Sequence, residues 1–574
     1  MSTARSGTPV LRITLLGALL LALLAACGGA PATTQEPGAA TPAAGGAGGA
    51  ATPATSGATG GGTGTPQKGG TMSVAYQNDI ATLDPAIGYD WNNWPMEKMV
   101  FDALMDYDKD VKLIPQLAAE MPKINEDSTV YTFKLRPGVK FHNGRELNAD
   151  DVVYTITRVL DPKTKSPGQS FFLTIKGAQD FIDGKATTVA GIKKVDNLTV
   201  EFTLAQPDVT FLNVIALNFA FIVPKEEVDK YKDDFGHHPV GTGPFVFDAW
   251  TSGQKITFKK NPNYFKSDLP YLDGVEVQIG ATPEVNVLKL EKGELDLLGE
   301  TLPPAEFVRV NQDPAWQKRI VHQTWVNTSY IAINTQVKPF DNVKVRQAIN
   351  MAIDKNQIVK LMNGRAQVAK GILPPLMPGY DPNIKGYEYS LDKAKALLAE
   401  AGFANGFKTS IECISVDPEP KVCESFQNDL KKIGVELEVK TLANSTVIQD
   451  AGTPGKAPLV WSGQLAWTQD YPDPADFYGP ILSCASAQPG GWNWPFYCNK
   501  DLDTEANKAL GMQDHDARMK EYQQIYQKLM DDAVWVPVYH LEQYIGHSDA
   551  LHGDQADFIH PEHTFVYEQL WKGK

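Results

Sequence analysis

The side chains in this sequence with chemistry to offer are carboxylates, histidines, cysteines and an unusual number of tryptophans. Asp473 and Asp476 stand three residues apart, a pair that would suit the acid and base of a glycosidase, but no further motif supports that reaction. No Gly-x-Ser-x-Gly elbow, His-Glu-x-x-His pair, phosphate loop or dinucleotide fingerprint occurs. The ten histidines are scattered, with His237 and His238 adjacent and His560 and His563 near the end, a pattern better explained by exposed loop residues than by nickel or haem ligands. Of the five cysteines, Cys27 follows Leu24, Ala25 and Ala26, while Cys413, Cys423, Cys484 and Cys498 remain as an even set. No histidine lies within a few residues of those four, so no metal site is expected and disulfides are the favoured reading. Three pairings are open, of which the local one, Cys413 with Cys423 and Cys484 with Cys498, closes the shortest loops. Trp492 and Trp494 flank Asn493 and would share one face of an extended segment. Flat aromatics so placed can cover a peptide plane, a sugar or a cation.

The elements that must position these residues begin after a leader. Arg5 and Arg12 precede an apolar run from Ile13 to Ala26, which at about 15 residues is shorter than the ~20 needed to span a bilayer. Residues 1–26 read as a lipoprotein signal peptide, with Cys27 as the lipidated residue of an extracytoplasmic protein anchored to the cell membrane. Residues 27–68 are nearly all Ala, Gly, Thr and Pro, and so read as a flexible tether. The rest is long enough to divide into two or more domains. The formal charge is −15, or −17 once the two charges of Arg5 and Arg12 leave with the signal. That excess argues against nucleic acid and against an anionic ligand steered by bulk charge. Strands are expected at Tyr131 to Leu135, Thr199 to Leu204, Lys255 to Lys259 and Val275 to Ile279. Asn148, with Asp150 and Asp151 behind it, is a helix start, and further helices are expected at Val343 to Met362, Leu391 to Ala401, Val422 to Ile433 and His515 to Asp531. Such mixing without an internal period indicates an α/β body. The Gly/Pro-rich stretches Pro239 to Pro244 and Leu373 to Gly379 read as structural turns.

From Gly70 onward a series of short motifs resembles the peptide/nickel-type, or family 5, extracellular solute-binding proteins of ABC importers. They run from Leu83 to Ala86, Tyr131 to Gly144 with Asn148 to Tyr154, Gly241 to Phe245, Asn261 to Tyr264 and Gly293 to Asp296. They continue with Asn334 and Thr335, Pro339 and Phe340, Val345 to Asp354, and Tyr471 to Pro474. Each is short, and the order and spacing carry the resemblance. It implies a two-lobed periplasmic-binding-protein-like α/β fold of class II, cluster C type, with an extra domain inserted in the first lobe. Lobe I would comprise 69–105 with 241–325 and 536–574, the inserted domain 106–240, and the other lobe 326–535, with crossings near Trp325 and Trp535 as the hinge. Closure would bury a ligand between lobes.

The resemblance also implies contacts. Asp470 matches the aspartate that pairs with a peptide's α-ammonium in similar proteins, and Trp467 an aromatic that borders the ligand. Trp492, Asn493 and Trp494 follow, with Tyr89 and Trp91 contributed by lobe I. No arginine is assigned by motif to a ligand carboxylate. The implied function is capture of oligopeptides or dipeptides by a monomer that passes them to an ABC permease and its ATPase subunits, with no cofactor and no catalysis. An oligosaccharide, nickel or haem ligand on the same fold is the alternative, and a secreted hydrolase or a sensory or scaffold lipoprotein the rivals from other classes.

Overall fold

Asn148 starts its helix as expected. Its side chain accepts from the Asp150 N–H at 2.8 Å, and Asp151 reaches back to the Asn148 N–H at 2.9 Å, closing a capping box on Ala149–Leu160. In the computed structural model, which describes residues 65–573, this helix packs on a four-stranded sheet ordered Lys123–Ile124, Val130–Lys134, Thr199–Thr203, Ile192–Asp196. The leader, Cys27 and most of the expected tether lie outside the described residues. No helix among the described residues is long and apolar enough to cross a membrane.

Two larger sheets organise the chain. The first has five strands in the order Leu297–Leu298, Thr71–Tyr76, Gly274–Ile279, Lys255–Lys260, Phe245–Thr251. Thr71–Tyr76 runs parallel to both its neighbours, and the remaining pairs are antiparallel. Its core is continuous with that of the four-stranded sheet, since Val74, Val277, Phe133 and Phe202 belong to one buried cluster. Glycine is obligatory where the two meet: a Cβ on Gly241 or Gly243 would fall 2.1 Å from Val100 O or 2.5 Å from Val100 C, so the Pro239 to Pro244 stretch is a close-packing turn.

The second large sheet follows the order Ile320–Thr324, Trp535–Gly546, Asn327–Ile333, Leu459–Trp461, Phe407–Ile414, Val435–Leu442. Ala366–Val368 joins it on Trp535–Gly546, and Trp467–Thr468 on Asn327–Ile333. Phe407–Ile414 and Val435–Leu442 are parallel and connected through helix Glu419–Lys431, as a parallel crossover requires. Asn327–Ile333 is buried throughout because both faces are covered. Ile331 and Ile333 meet the helices containing Ile349 and Phe426, whereas Tyr330 and Ala332 meet the side that holds Ile525 and Leu529. The helix expected over Val343 to Met362 is two, Val343–Ala352 and Lys355–Leu361. Ile353 turns extended, and the Asp354 side chain caps the second helix by accepting from the Gln357 N–H.

A ribbon joins the two bodies. Ile320–Thr324 pairs antiparallel with Glu542 to Gly546, and His547 then bridges to Leu297 in the five-stranded sheet. Because Trp535–Gly546 is one unbroken strand of the second sheet, the return crossing comes near Gly546 and not at Trp535. Disulfides link Cys413 to Cys423 and Cys484 to Cys498.

Candidate functional site

The stretch from Gly463 to Asp476 forms one wall of a cavity between the two bodies. Gly463 has φ +51° and sits where a Cβ would meet the Glu419 carboxylate at 2.5 Å, so only glycine fits the bend. Trp467 and Thr468 then pair with Thr328 and Asn327, which fixes the direction of the chain that follows. The cavity, about 300 Å³, is walled on one side by Leu465 to Asp470 with Trp492, and on the other by Tyr89, Trp91 and Trp94.

Asp470 is 9% exposed. Its Oδ1 accepts from the Tyr89 hydroxyl across the gap at 2.7 Å, and its N–H donates to Asp476 Oδ2 at 3.0 Å. Burial pushes the Asp470 carboxyl up to about 6, and burial together with the neighbouring Asp470 raises Asp476 well above the ordinary range. Glu562, which accepts from Gln469 Nε2, is raised by burial as well. Among the described residues no lysine, arginine or histidine forms an ion pair with any of these three acids. A buried anionic site without a counter-ion is costly, and a cation brought by a ligand relieves that cost.

Five of the residues expected from sequence therefore come together: Asp470, Trp467, Trp492, Tyr89 and Trp91. Trp467 and Trp492 meet edge to face at 6.3 Å, and Trp91 stands edge-on to Trp325 at 5.2 Å. Asn493 and Trp494 do not join them. The Trp494 N–H donates to the Trp492 carbonyl at 2.9 Å, so the segment turns tightly instead of extending; the two indoles remain in tilted contact at 5.8 Å, with Trp494 on the inner side. Trp492 stays 44% exposed at the cavity, while Trp494 is 2% exposed and packs toward Tyr330. Asn493 is spent on bracing the Cys484 to Cys498 loop, donating to the carbonyls of Ser483 and Tyr497 at 2.9 Å each and accepting from the Tyr497 N–H.

The carboxylate pair Asp473 and Asp476 does not form an acid–base couple. Arg518 grips both oxygens of Asp473 in the interior, and Asp476 is fully buried behind Asp470. His563 is paired with Asp106 at 2.7 Å in the interior, and His237 and His238 lie beside Asp234 on the surface. No group of three or more His, Cys, Asp or Glu among the described residues is arranged to hold a metal ion.

A second chamber of about 600 Å³ adjoins the first, and Trp91, Ala466 and Thr468 line both. Sequence reasoning missed its charged residues, which come from five separated segments: Glu284, Glu300, Arg365, Glu419 and Glu542. Glu419, 1% exposed, accepts from Trp461 Nε1 at 2.5 Å while its Oε1 has no partner, and burial pushes its carboxyl up to about 7. Glu542 accepts from Thr324 and Gln367. The one signal for Arg365 in the sequence is its place just after Asn363 and Gly364, both at positive φ, where a turn aims a side chain away from the helix before it.

Comparisons with known proteins agree with this architecture. The model of the bacterial extracellular solute-binding proteins, family 5, matches residues 112–489. A haem-binding protein A of Haemophilus influenzae is 34% identical over 464 residues, covering 77% of this chain and 82% of the relative. A dipeptide-binding protein of Escherichia coli is 32% identical over 441 residues, covering 74% and 80%. Among solved structures, an ABC transporter-associated periplasmic binding protein from Helicobacter pylori in complex with the peptide STSA superposes with a TM-score of 0.73 at 29% identity, covering 88% of this chain and 99% of that one.

Proposed function

This chain belongs to the bacterial extracellular solute-binding proteins of family 5, with their two-lobed α/β fold, and from that premise we propose that it captures short peptides by their free amino terminus and delivers them to an ABC permease. The observation that carries the reading is Asp470: a buried carboxylate, backed by Asp476 and Glu562, facing an aromatic cavity between the bodies with no cation of its own. A peptide ammonium supplies that cation, and Trp467, Trp492 and Tyr89 cover the backbone beside it. The relatives that carry peptide-binding names, and the peptide-bound neighbour, support the same ligand class. The role proposed is binding without turnover, as for the solute-binding proteins of the family.

A haem ligand has the support of one relative's name, while the peptide reading has the buried Asp470 carboxylate facing the cavity as well as relatives' names. Under the peptide reading residues 1–26 are the signal, Cys27 carries the lipid, and residues 27–68 tether a monomer to the membrane. Lobe I is then 69–105 with 241–325 and the C-terminal segment, the inserted domain 106–240, and the ribbon near Trp325 and Gly546 the hinge.

Calorimetric titration with di- to pentapeptides, each free or N-acetylated, tests the assignment. Saturable one-to-one binding that acetylation abolishes is expected. Equal affinity for the acetylated forms, or no binding of any peptide, rejects it.

A further inference from the structure

Arg365 is the one cation lining either chamber among the described residues. Other buried arginines of the molecule are fully employed: Arg518 holds Asp473, Arg158 holds Asp84, and Arg346 donates to the carbonyls of Phe340 and Asp532. Arg365 makes no side-chain hydrogen bond and no ion pair within the described residues, and its Nε is buried with no acceptor. Its backbone is nonetheless fixed on both sides, with its N–H donating to Met362 O at 3.0 Å and its carbonyl accepting from the Glu542 N–H at 2.9 Å. The acids nearby do not take it up. Glu419 and Glu542 are bonded to Trp461 and to Thr324 with Gln367, and none comes within ion-pair distance of the guanidinium. A guanidinium held in place, partly desolvated and left without an acceptor is a preformed receptor for a planar anion, and a carboxylate matches its fork with two parallel bonds.

We infer that Arg365 anchors a carboxylate at the far end of the ligand, so that the cleft selects an extended zwitterion with its ammonium at Asp470 and its anion in the second chamber. This rests on the peptide reading above and adds the length and the second charge. A ligand confined to the first chamber, about 300 Å³, never meets the arginine; one that passes the Trp91, Ala466 and Thr468 wall does. The net acidity of the protein does not oppose this, because a fixed local donor set decides an orientation that bulk charge does not. The carboxylate can come from the peptide's own C-terminus or from an acidic side chain.

The test is a set of tripeptides and tetrapeptides with a free amino terminus, as C-terminal acids, as amides, and as amides carrying a terminal glutamate, titrated into the full protein and into Arg365→Gln and Arg365→Lys. In the wild-type protein amidation is expected to weaken binding by about 10- to 100-fold, the scale of a charge-assisted bond. Arg365→Gln is expected to bind acid and amide alike, and Arg365→Lys to restore part of the difference. Recovery of affinity by the glutamyl amide assigns the site to side-chain carboxylates, and its absence assigns it to the C-terminus; either supports the anchor. Acids and amides that bind the wild-type protein equally overturn the inference while leaving the peptide reading intact, and this arm does not depend on the variants folding. Binding of no peptide at all overturns both.

Discussion

Asp470 and Asp473 lie three residues apart on one segment, both are nearly excluded from water, and they do opposite things. Asp473 receives the fork of Arg518 from helix His515–Asp532 and caps the next turn by accepting from the Ala475 N–H at 2.9 Å. Asp470 receives one tyrosine hydroxyl from the opposite body and, among the described residues, no cation. Residue type and burial are matched, so the difference lies in whether the fold supplies a counter-ion. Where it does, the pair is architecture; where it does not, the carboxylate is the one proposed above to meet a ligand's ammonium.

That contrast can be broken at its stronger member first. Arg518→Ala leaves Asp473 buried and uncompensated, and is expected to cost about 3–5 kcal/mol of stability in urea unfolding. A loss under 1 kcal/mol would remove the architectural role. Asp470→Asn should act in reverse, leaving the melting temperature unchanged or raised while peptide affinity falls at least 30-fold, the scale for truncating one partner of a buried charge pair. Unaltered affinity in calorimetry would take Asp470 out of the site.

The mildest test uses acid on the unmodified protein. The folded Asp470 carboxyl lies near 6, above its ordinary 3.8, so protonation favours the folded state. Its contribution to ligand-free stability is complete below 3.8 and is lost as pH rises through about 6. Affinity for a free-amino peptide must run the other way, because the ammonium needs the ionised carboxylate, with Asp476 and Glu562 pulling in the same direction and the Tyr89 hydroxyl holding its bond throughout. Binding is therefore expected to weaken several-fold between pH 7 and pH 5 as the ligand-free melting temperature rises or holds. Affinity that is flat over this span would mean that the acids facing the cavity do not bind the cation.

Much of the local structure was legible because it rests on neighbours in sequence. Asn148, Asp150 and Asp151 declare a helix start within four residues, and the alternation in Thr199 to Leu204 and Val275 to Ile279 declares strands. Reading Val343 to Met362 as one helix failed at Asp354, whose side chain offers the backbone a cap that competes with helix continuation. The same limit applies at Trp492 and Trp494: an extended backbone would give both the same exposure, but one bond from the Trp494 N–H to the Trp492 carbonyl turns the chain, and of two indoles still in contact one is exposed and the other buried.

The sequence by itself determined the class of molecule, since ordered motifs from Leu83 to Pro474 and the match over residues 112–489 identify the family without any coordinates. It also nominated Asp470 with the aromatic residues around it. Only the tertiary structure decided which charges are free. Whether Asp470 and Arg365 keep their charges available depends on what arrives from helix His515–Asp532, from Glu419 and from Glu542, all distant along the chain, and charge compensation over a few ångströms is a property of spatial neighbours that no local pattern encodes.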